Sequence, residues 1–139
     1  MSSPLRVLLD TNVVLDVLLA RQPRVNEAAG LWAAADDGRL TGYLPASALT
    51  DIYYVANRIS GPSRAREAVR LCLTAFEFCP TDRAVLQSAF HRNGPDFEDD
   101  VQIASAESAR LDAIVTRDGN GFKGSVIPIW SPTQCLQKL

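Results

Sequence analysis

The sequence predicts an α/β fold in which helices cover both faces of a mostly parallel sheet. Short apolar segments alternate with longer segments of helical periodicity along the chain. The apolar segments at 6–9 and 113–116 lack an alternation of polar and apolar residues, which is typical of strands buried on both faces of a parallel sheet. These observations indicate three layers, and we expect residues 1–139 to form a single domain.

The first half of the chain is predicted to contain two strands and three helices. Thr11 or Asn12 can cap the first helix. Gly38 follows the second helix, and Pro45 suits the first position of the third, which Gly61-Pro62 breaks. The predicted elements are a strand at 6–9, a helix from 11 or 12 to 19, a helix over 25–37, a strand at 41–44 and a helix from 45 to about 59.

The second half of the chain is predicted to continue this alternation. Asn93-Gly94-Pro95 has the composition of a turn, and the helix that follows places Phe97, Val101 and Leu111 on one face. The predicted elements are helices over 64–76, 82–91 and 96–111, strands at 76–79, 113–116 and 126–129, and a short helix from 132.

Several aromatic and basic residues receive a structural rather than a functional interpretation. His91, the only histidine, is expected at the surface, and no serine motif accompanies it to form a nucleophilic triad. Four aromatic residues are expected in the core rather than as platforms for bases: Trp32, Trp130, Tyr53 and Tyr54. Four arginines are interpreted as a solvated helix face, with an RNA path as the alternative: Arg58, Arg64, Arg66 and Arg70.

The composition limits the possible classes of function. The 14 basic and 16 acidic residues leave a net charge of −2, so any site for nucleic acid must be local. The apolar run at 7–20 is interrupted by Asp10, Asn12 and Asp16, which excludes a signal peptide or a membrane span there and predicts a cytoplasmic protein. Three cysteines without zinc-site spacing are expected to be reduced and partly buried: Cys72, Cys79 and Cys135.

Aspartates follow two of the predicted strands. Asp10 comes directly after the strand at 6–9, and Asp118 comes shortly after the strand at 113–116. The carboxyl ends of parallel strands meet at one edge of a sheet, where open α/β sheets bind their ligands. We therefore expect Asp10 and Asp118 to lie at the functional edge.

A third group of acids opens the helix predicted over 96–111. On a helical wheel Asp96, Asp99 and Asp100 share a broad face, whereas Glu98 points away. Each acid taken alone has a structural explanation, as a turn former or as a charge at a helix N-terminus that contributes about 0.3 to 1 kcal/mol. Their coincidence at one predicted edge favours a functional cluster.

Gathered carboxylates of this kind are suited to a divalent cation. Mg²⁺ and Mn²⁺ prefer hard oxygen ligands and can hold a phosphodiester while activating water. Two carboxylates ~5 Å apart repel each other by roughly 3 kcal/mol at an effective dielectric constant of about 20, so the cluster should bind metal or raise a pKa. Asp51, one turn into the helix after Pro45, is a further candidate acid.

Motifs in both halves of the chain resemble one family of nucleases. The segment 8–15, Leu-Leu-Asp-Thr-Asn-Val-Val-Leu, resembles the N-terminal motif of PIN domains, including the VapC-type toxins of bacterial toxin–antitoxin pairs. The segments 96–99, 102–106 and 114–118 resemble the C-terminal half of the family, and Ser131-Pro132 resembles its tail. The resemblance spans nearly the whole chain in the right order.

The resemblance implies a PIN-like three-layer sandwich and Mg²⁺- or Mn²⁺-dependent cleavage of RNA by a metal-activated water. It further implies an antitoxin partner, and the frequency of two-fold dimers among small proteins adds the expectation of a homodimer. Carried over by position, Asp96 is an accessory acid, Asn12 and Thr116 are supporting polar groups, and the metal-binding acids are Asp10, Asp99 and Asp118.

One position departs from the family pattern and leaves alternatives open. The family's usual glutamate on the helix after the second strand is replaced by Asp51, which is one methylene shorter. A catalytically weak PIN-fold module that binds RNA or protein is therefore the alternative to the nuclease. A second enzyme class, phosphoaspartyl transfer, needs an acid two residues after Asp10 or a receiver-type lysine at a strand end, and Asn12 argues against the first of these patterns.

Overall fold

The computed structural model describes residues 3–139, and its strands form one parallel sheet. The strands are β1 (Leu5–Leu9), β2 (Leu40–Pro45), β3 (Glu77–Cys79), β4 (Ala113–Val115) and β5 (Ile129–Trp130). Their order in the sheet is β3-β2-β1-β4-β5, and every neighbouring pair is parallel. The parallel sheet expected from the apolar segments is therefore confirmed.

Helices connect the strands throughout the described part of the chain. They are α1 (Thr11–Leu18), α2 (Val25–Asp36), α3 (Ala48–Ser60), α4 (Pro62–Ala75), α5 (Arg83–Arg92), α6 (Phe97–Ser108) and α7 (Pro132–Gln137), with a short 3-10 helix at Gly119–Phe122. None of the helices within residues 3–139 has both the length and the apolar character needed to cross a membrane.

Successive residues of each strand point into two different apolar layers. Val7 and Leu9 of β1 are buried in a cluster with residues of α1, α2, α3, α4 and α7 on one face of the sheet. Leu8 is buried on the other face with Ile103 of α6, and α5 packs on the outer side of α6. The sheet is thus the middle of three layers, as the sequence predicts.

Two predicted element boundaries are wrong. Pro45 ends β2 opposite Cys79, and the helix expected to begin at Pro45 starts at Ala48, because the fixed φ of proline suits an extended residue as well as a first helical turn. The strand expected at 126–129 is shorter and later, since Val126 is 84% exposed and its N–H donates to Glu107 Oε2 at 3.2 Å.

The predicted cap of the first helix is also wrong. Asp10, not Thr11 or Asn12, occupies the N-cap position of α1, and no side chain bonds to the helix N-terminus there. Thr11 is buried within the first turn, and the Asn12 side chain instead accepts a hydrogen bond from Arg21. The Asp10 carboxylate has other partners, which are described below.

Side-chain burial corrects part of the predicted core. Tyr54 is 67% exposed, and Phe97 is exposed as well, because only the stripe of each helix that faces the sheet is covered. His91 is exposed, as predicted. The other aromatic residues expected in the core are half-buried at its margin: Trp32, Tyr53 and Trp130.

The cysteines are unpaired and fully buried rather than partly buried. Burial raises the pKa of the Cys72 thiol to about 12. It raises the pKa values of Cys79 and Cys135 to about 11. The three thiols therefore stay protonated at neutral pH and serve as small apolar groups of the core.

The strand order places the end of β1 at a topological switch point. From β1 the sheet extends through β2 and β3 on one side and through β4 and β5 on the other. In open α/β sheets, a crevice forms at the carboxyl ends of the two strands where the order reverses. Asp10 follows β1 and the segment Thr116–Asp118 follows β4, so both reach this crevice.

Candidate active site

Asp10 lies at the carboxyl end of β1, and neighbouring side chains hold both of its carboxylate oxygens. Its backbone N–H donates to the Val115 carbonyl at 2.9 Å, which continues the pairing of β1 with β4. Gln102 Nε2 donates to Asp10 Oδ1 at 3.1 Å, and the Thr116 hydroxyl donates to Oδ2 at 2.8 Å. All three side chains are buried, so the orientation of the Asp10 carboxylate is fixed.

Thr116 connects Asp10 to the segment that carries Asp118. The Thr116 hydroxyl oxygen accepts a hydrogen bond from the Asp118 N–H at 3.1 Å while the hydroxyl donates to Asp10. Asp118 itself is exposed and precedes the 3-10 helix. The predicted supporting residue Thr116 therefore lies between the two acids and sets the backbone position of Asp118.

Asp99 lies in the first turn of α6, opposite the 3-10 helix. Asp96 caps α6, because its Oδ1 accepts a hydrogen bond from the Asp99 N–H at 3.0 Å. A Cβ atom added to Gly121 would lie 2.6 Å from Asp99 Oδ2 and 3.9 Å from Asp118 Oδ2. The two carboxylates therefore face the same glycine, which leaves space for Asp99.

The electrostatic environment joins these acids into one group. The pKa of Asp99 is raised to about 7 by burial of its carboxyl and by the negative charges of Asp96, Asp10, Glu98 and Asp118. The pKa of Glu98 is raised by burial and by the charges of Asp51, Asp10 and Asp96. We call this set the acidic cluster: Asp10, Asp51, Asp96, Glu98, Asp99 and Asp118.

The structure reverses two expectations about the start of α6. Glu98, predicted to point away, belongs to the acidic cluster, whereas Asp100 is buried elsewhere and accepts a hydrogen bond from the Gly94 N–H at 3.0 Å. The reason is which stripe of α6 faces Asp10. Gln102 contacts Asp10 and lies four residues after Glu98 and three after Asp99, so these three share one stripe that Asp100 does not.

Another buried carboxylate, that of Asp16, has two arginine partners, one of which directly precedes Asp118 in the chain. Asp16 of α1 is 2% exposed, and its Oδ2 lies 3.2 Å from Arg117 Nε. Arg21 Nη1 lies 3.6 Å from Asp16 Oδ1 and donates to Asn12 Oδ1 at 3.3 Å. Asn12, the predicted supporting residue, is thus connected to Asp16 through Arg21 rather than to the acids themselves.

No basic side chain neutralises the acidic cluster. Within residues 3–139, none of its six members forms an ion pair with lysine or arginine. Nor does that part of the chain bring three acidic, histidine or cysteine side chains close enough to hold a metal ion as they stand. The cluster therefore combines several oxygen ligands with uncompensated negative charge, and this donor set suits a hard divalent cation.

The sequence also matches a known family over most of its length. A family model described as a PIN domain matches residues 6–120, a stretch that includes Asp10, Asp51, Asp99 and Asp118. The chain belongs to the PIN domain family. The resemblance seen in the motifs is therefore confirmed. A search of curated protein sequences finds no match.

Solved structures with the same fold come from bacterial toxin–antitoxin systems. The Mycobacterium tuberculosis toxin VapC20, described as cleaving the sarcin-ricin loop, has a TM-score of 0.71 at 17% identity, covering 87% of this chain and 95% of that one. DNA-bound VapBC from Salmonella typhimurium has a TM-score of 0.68 at 19% identity, with 92% and 98% covered. A toxin–antitoxin complex from Klebsiella pneumoniae has a TM-score of 0.66 at 19% identity, with 91% and 97% covered.

Asp51 lies at the margin of the acidic cluster in this PIN domain. It is exposed in the first turn of α3, and its charge acts on Glu98. The charges that raise the Asp99 pKa are instead those of Asp96, Asp10, Glu98 and Asp118. Asp51 is thus connected to the cluster by the effect of its charge on Glu98.

The sequence alone does not predict a role in the site for four residues of this PIN domain. Gln102 is a polar residue inside the apolar run Val101-Gln102-Ile103-Ala104, and Asp16 interrupts the apolar face of α1, so both carried a detectable signal. Glu98 and Arg117 give no such signal in the sequence, since exposed charged residues are common near helix and loop ends.

The arginines of α3 and α4 form no ion pair with the acidic cluster within residues 3–139. Arg58, Arg64, Arg66 and Arg70 are all exposed, and Arg70 forms an ion pair with Glu67. Between the two helices is a groove of about 510 Å³, lined by Arg66, Arg70 and mostly apolar residues that include Tyr53 and Tyr54. The exposure agrees with the predicted solvated face, and the RNA path stays an alternative interpretation.

Proposed function

We propose that this PIN domain is a metal-dependent endoribonuclease. The observation that carries the proposal is the acidic cluster at the switch point of the parallel sheet, in which Asp99 and Asp118 both approach Gly121 and no member forms an ion pair with a basic residue of the described part of the chain. Carboxylates gathered in this way repel one another, and such repulsion is maintained in proteins mainly where a cation or a reaction uses it. The match to the PIN domain family supports the same activity.

The acids best placed to hold Mg²⁺ or Mn²⁺ are Asp10, Asp99 and Asp118. Asp10 is fixed by its two hydrogen bonds, and Asp99 and Asp118 both approach Gly121. Mg²⁺ is commonly held by one or two carboxylates together with waters and substrate phosphate, so a complete protein shell is not required. The bound cation would supply activation of a water and neutralisation of charge on the RNA phosphate.

The other residues of the site position these acids and the RNA. Asp96 caps α6 and so fixes the backbone position of Asp99. Thr116 bonds to both Asp10 and the backbone of Asp118 and so fixes their relative positions. Arg21 and Arg117 each approach Asp16 through one nitrogen, and a guanidinium group has further N–H donors beyond that contact. These N–H groups are suited to the anionic RNA backbone, which the acidic cluster alone would repel.

The cleavage experiment compares acids inside and outside the cluster. A structured RNA incubated with the purified protein should be cut in Mg²⁺ or Mn²⁺ and left intact in EDTA, and Mn²⁺ should raise the melting temperature. Asp10→Asn and Asp99→Asn should abolish cutting. Asp36→Asn, an exposed aspartate at the end of α2, is the matched control and should cut normally. Retention of RNA without cutting would instead support a binding module.

We further propose that the protein is the toxin of a toxin–antitoxin pair acting in the cytoplasm. The structural similarity to VapC20 and to two toxin–antitoxin complexes supports this role. An antitoxin segment that covers the site should carry an arginine or lysine, because a basic group can replace the charge of the cation among Asp10, Asp99 and Asp118.

The toxin proposal has its own test. Expression of the chain alone should arrest growth, and co-expression with the product of the neighbouring gene should restore growth and allow the two proteins to co-purify. Light scattering of the purified chain should give the mass of a homodimer, the commonest symmetric assembly. Unaffected growth in both strains together with no co-purification would refute the toxin role without refuting the nuclease.

A further inference from the structure

Gln102 makes a buried polar contact with the acidic cluster. Its side chain is 2% exposed, and its Nε2 donates to Asp10 Oδ1 at 3.1 Å. The Thr116 hydroxyl donates to the other oxygen, Oδ2, at 2.8 Å. Each oxygen of Asp10 therefore has one fixed donor, and each keeps one lone pair for another partner.

We propose that Gln102 is a positioning residue that orients Asp10 for a divalent cation. The proposal rests on the proposed function, because it assigns Asp10 to the metal. Groups that hold metal-binding side chains by hydrogen bonds commonly change metal affinity by 10- to 100-fold when they are removed. Gln102 is suited to this role because its amide is a neutral donor, whereas an arginine or lysine there would compete with the cation for Asp10.

The stability of the fold does not explain a glutamine at this position. Its Oε1 is buried and has no hydrogen-bond partner among residues 3–139, which costs free energy that an apolar side chain would not cost. The adjacent residues Val101 and Ile103 are buried and apolar, so a methionine of similar length would suit the surroundings. What methionine cannot provide is the N–H group that contacts Asp10.

Ser105 offers a matched control on the same helix. It lies one turn after Gln102 and is 1% exposed, and its hydroxyl also lacks a hydrogen-bond partner in the described part of the chain. It makes no hydrogen bond to Asp10, whose oxygens are occupied by Gln102 and Thr116. Ser105→Ala therefore perturbs the buried face of α6 without removing a donor from Asp10.

The test measures binding of Mn²⁺ to metal-free protein by calorimetry. Gln102→Met removes the donor at nearly constant volume, and Gln102→Asn keeps an amide that is one methylene too short to reach Asp10. Both variants should bind Mn²⁺ about 10-fold more weakly or worse, whereas Ser105→Ala should bind as the parent does. In RNA cleavage, both variants should need about 10-fold more Mn²⁺ for half-maximal rate and should recover most of the parental kcat at saturating Mn²⁺.

The possible outcomes separate this inference from the nuclease proposal. If the parent binds Mn²⁺ and cuts RNA but either folded Gln102 variant binds Mn²⁺ as tightly as Ser105→Ala does, the positioning role is wrong and the nuclease stands. A lower melting temperature with unchanged Mn²⁺ affinity likewise refutes the positioning role. If the parent neither binds Mn²⁺ nor cuts RNA, both proposals fail.

Discussion

Arg117 Nε lies 3.2 Å from Asp16 Oδ2, so the residue directly before Asp118 is tied to the buried side of α1. Asp16 is 2% exposed, and a buried carboxylate without a basic partner is costly to the folded state. The ion pair thus connects the segment after β4 to the helix after β1. The residue before Asp118 is therefore anchored by an ion pair, and the Asp118 N–H donates to the Thr116 hydroxyl oxygen.

Removal of Arg117 should therefore destabilise the whole fold. We expect Arg117→Ala to lower the free energy of unfolding by about 2 kcal/mol, between the values typical of exposed and of buried pairs, because Asp16 is buried, Arg117 is partly exposed and Arg21 stays near Asp16. Arg24→Ala, which breaks an exposed pair with Glu27, should cost less than about 1 kcal/mol. Urea denaturation measures both. Equal losses in the two variants would show that the Asp16 pair has no special role.

Gly121 should be essential for the position of Asp99. A Cβ atom there would lie 2.6 Å from Asp99 Oδ2, so Gly121→Ala must displace that carboxylate. We expect kcat for RNA cleavage to fall by about 10- to 100-fold, the effect of misplacing a reacting group by about 1 Å. Gly119→Ala is the matched control in the same 3-10 helix, since a Cβ at Gly119 meets nothing within 4 Å.

The two glycine variants distinguish a local from a global effect. Both replace glycine by alanine in the same short element, so their effects on the unfolded chain are similar. If Gly119→Ala and Gly121→Ala lose cleavage to the same extent, the loss reflects the helix as a whole and not the space around Asp99.

The raised pKa of Asp99 predicts how stability depends on pH. The folded-state value of about 7 lies above the ordinary value of 3.8, so between these values the folded protein binds more protons than the unfolded chain. This contribution to stability is fully present below about pH 4 and is lost as pH rises through 7. In EDTA, the melting temperature should therefore fall between pH 5 and pH 8, and the shift of Glu98 acts in the same direction.

Asp99→Asn provides the comparison for this pH profile. Asparagine does not titrate, so the melting temperature of the variant should fall much less between pH 5 and pH 8. At pH 8 the variant should be more stable than the wild type. Saturating Mn²⁺ should flatten the wild-type profile, because the cation binds the ionised cluster. Parallel profiles of the wild type and Asp99→Asn in EDTA would contradict the assigned environment of Asp99.

The sequence was sufficient to predict the fold and most of the acidic cluster, because the patterns that indicate them lie within short segments. Apolar strands followed at once by aspartate place Asp10 and Asp118 at the same edge whatever the details of the loops. The contacts that orient these acids are not local. Gln102 and Asp10 are separated by 92 residues, and nothing in either segment alone indicates that they meet.

The start of α6 shows a different limit of prediction from sequence. The helix begins at Phe97, with Asp96 extended at its N-cap, so a wheel drawn through Asp96 as a helical residue has the wrong orientation. Each residue turns the wheel by 100°, and an error of one position exchanges Glu98 and Asp100 between the site and the far side. Only the contact of Gln102 with Asp10 fixes which stripe faces the crevice.

Asp51 provides the last prediction, because it replaces the glutamate expected at this position of a PIN domain. It is exposed at the start of α3, and its charge acts on Glu98. Asp51→Asn should therefore reduce the cleavage rate by about 10-fold, since it removes one charge from the margin of the cluster. This loss is smaller than the loss expected for Asp99→Asn. Asp51→Glu adds the missing methylene and should keep or increase the rate. Steady-state cleavage at several Mn²⁺ concentrations measures both effects. Unchanged kinetics in Asp51→Asn would remove this residue from the site and leave Asp10, Asp99 and Asp118 to hold the cation with Glu98 beside them.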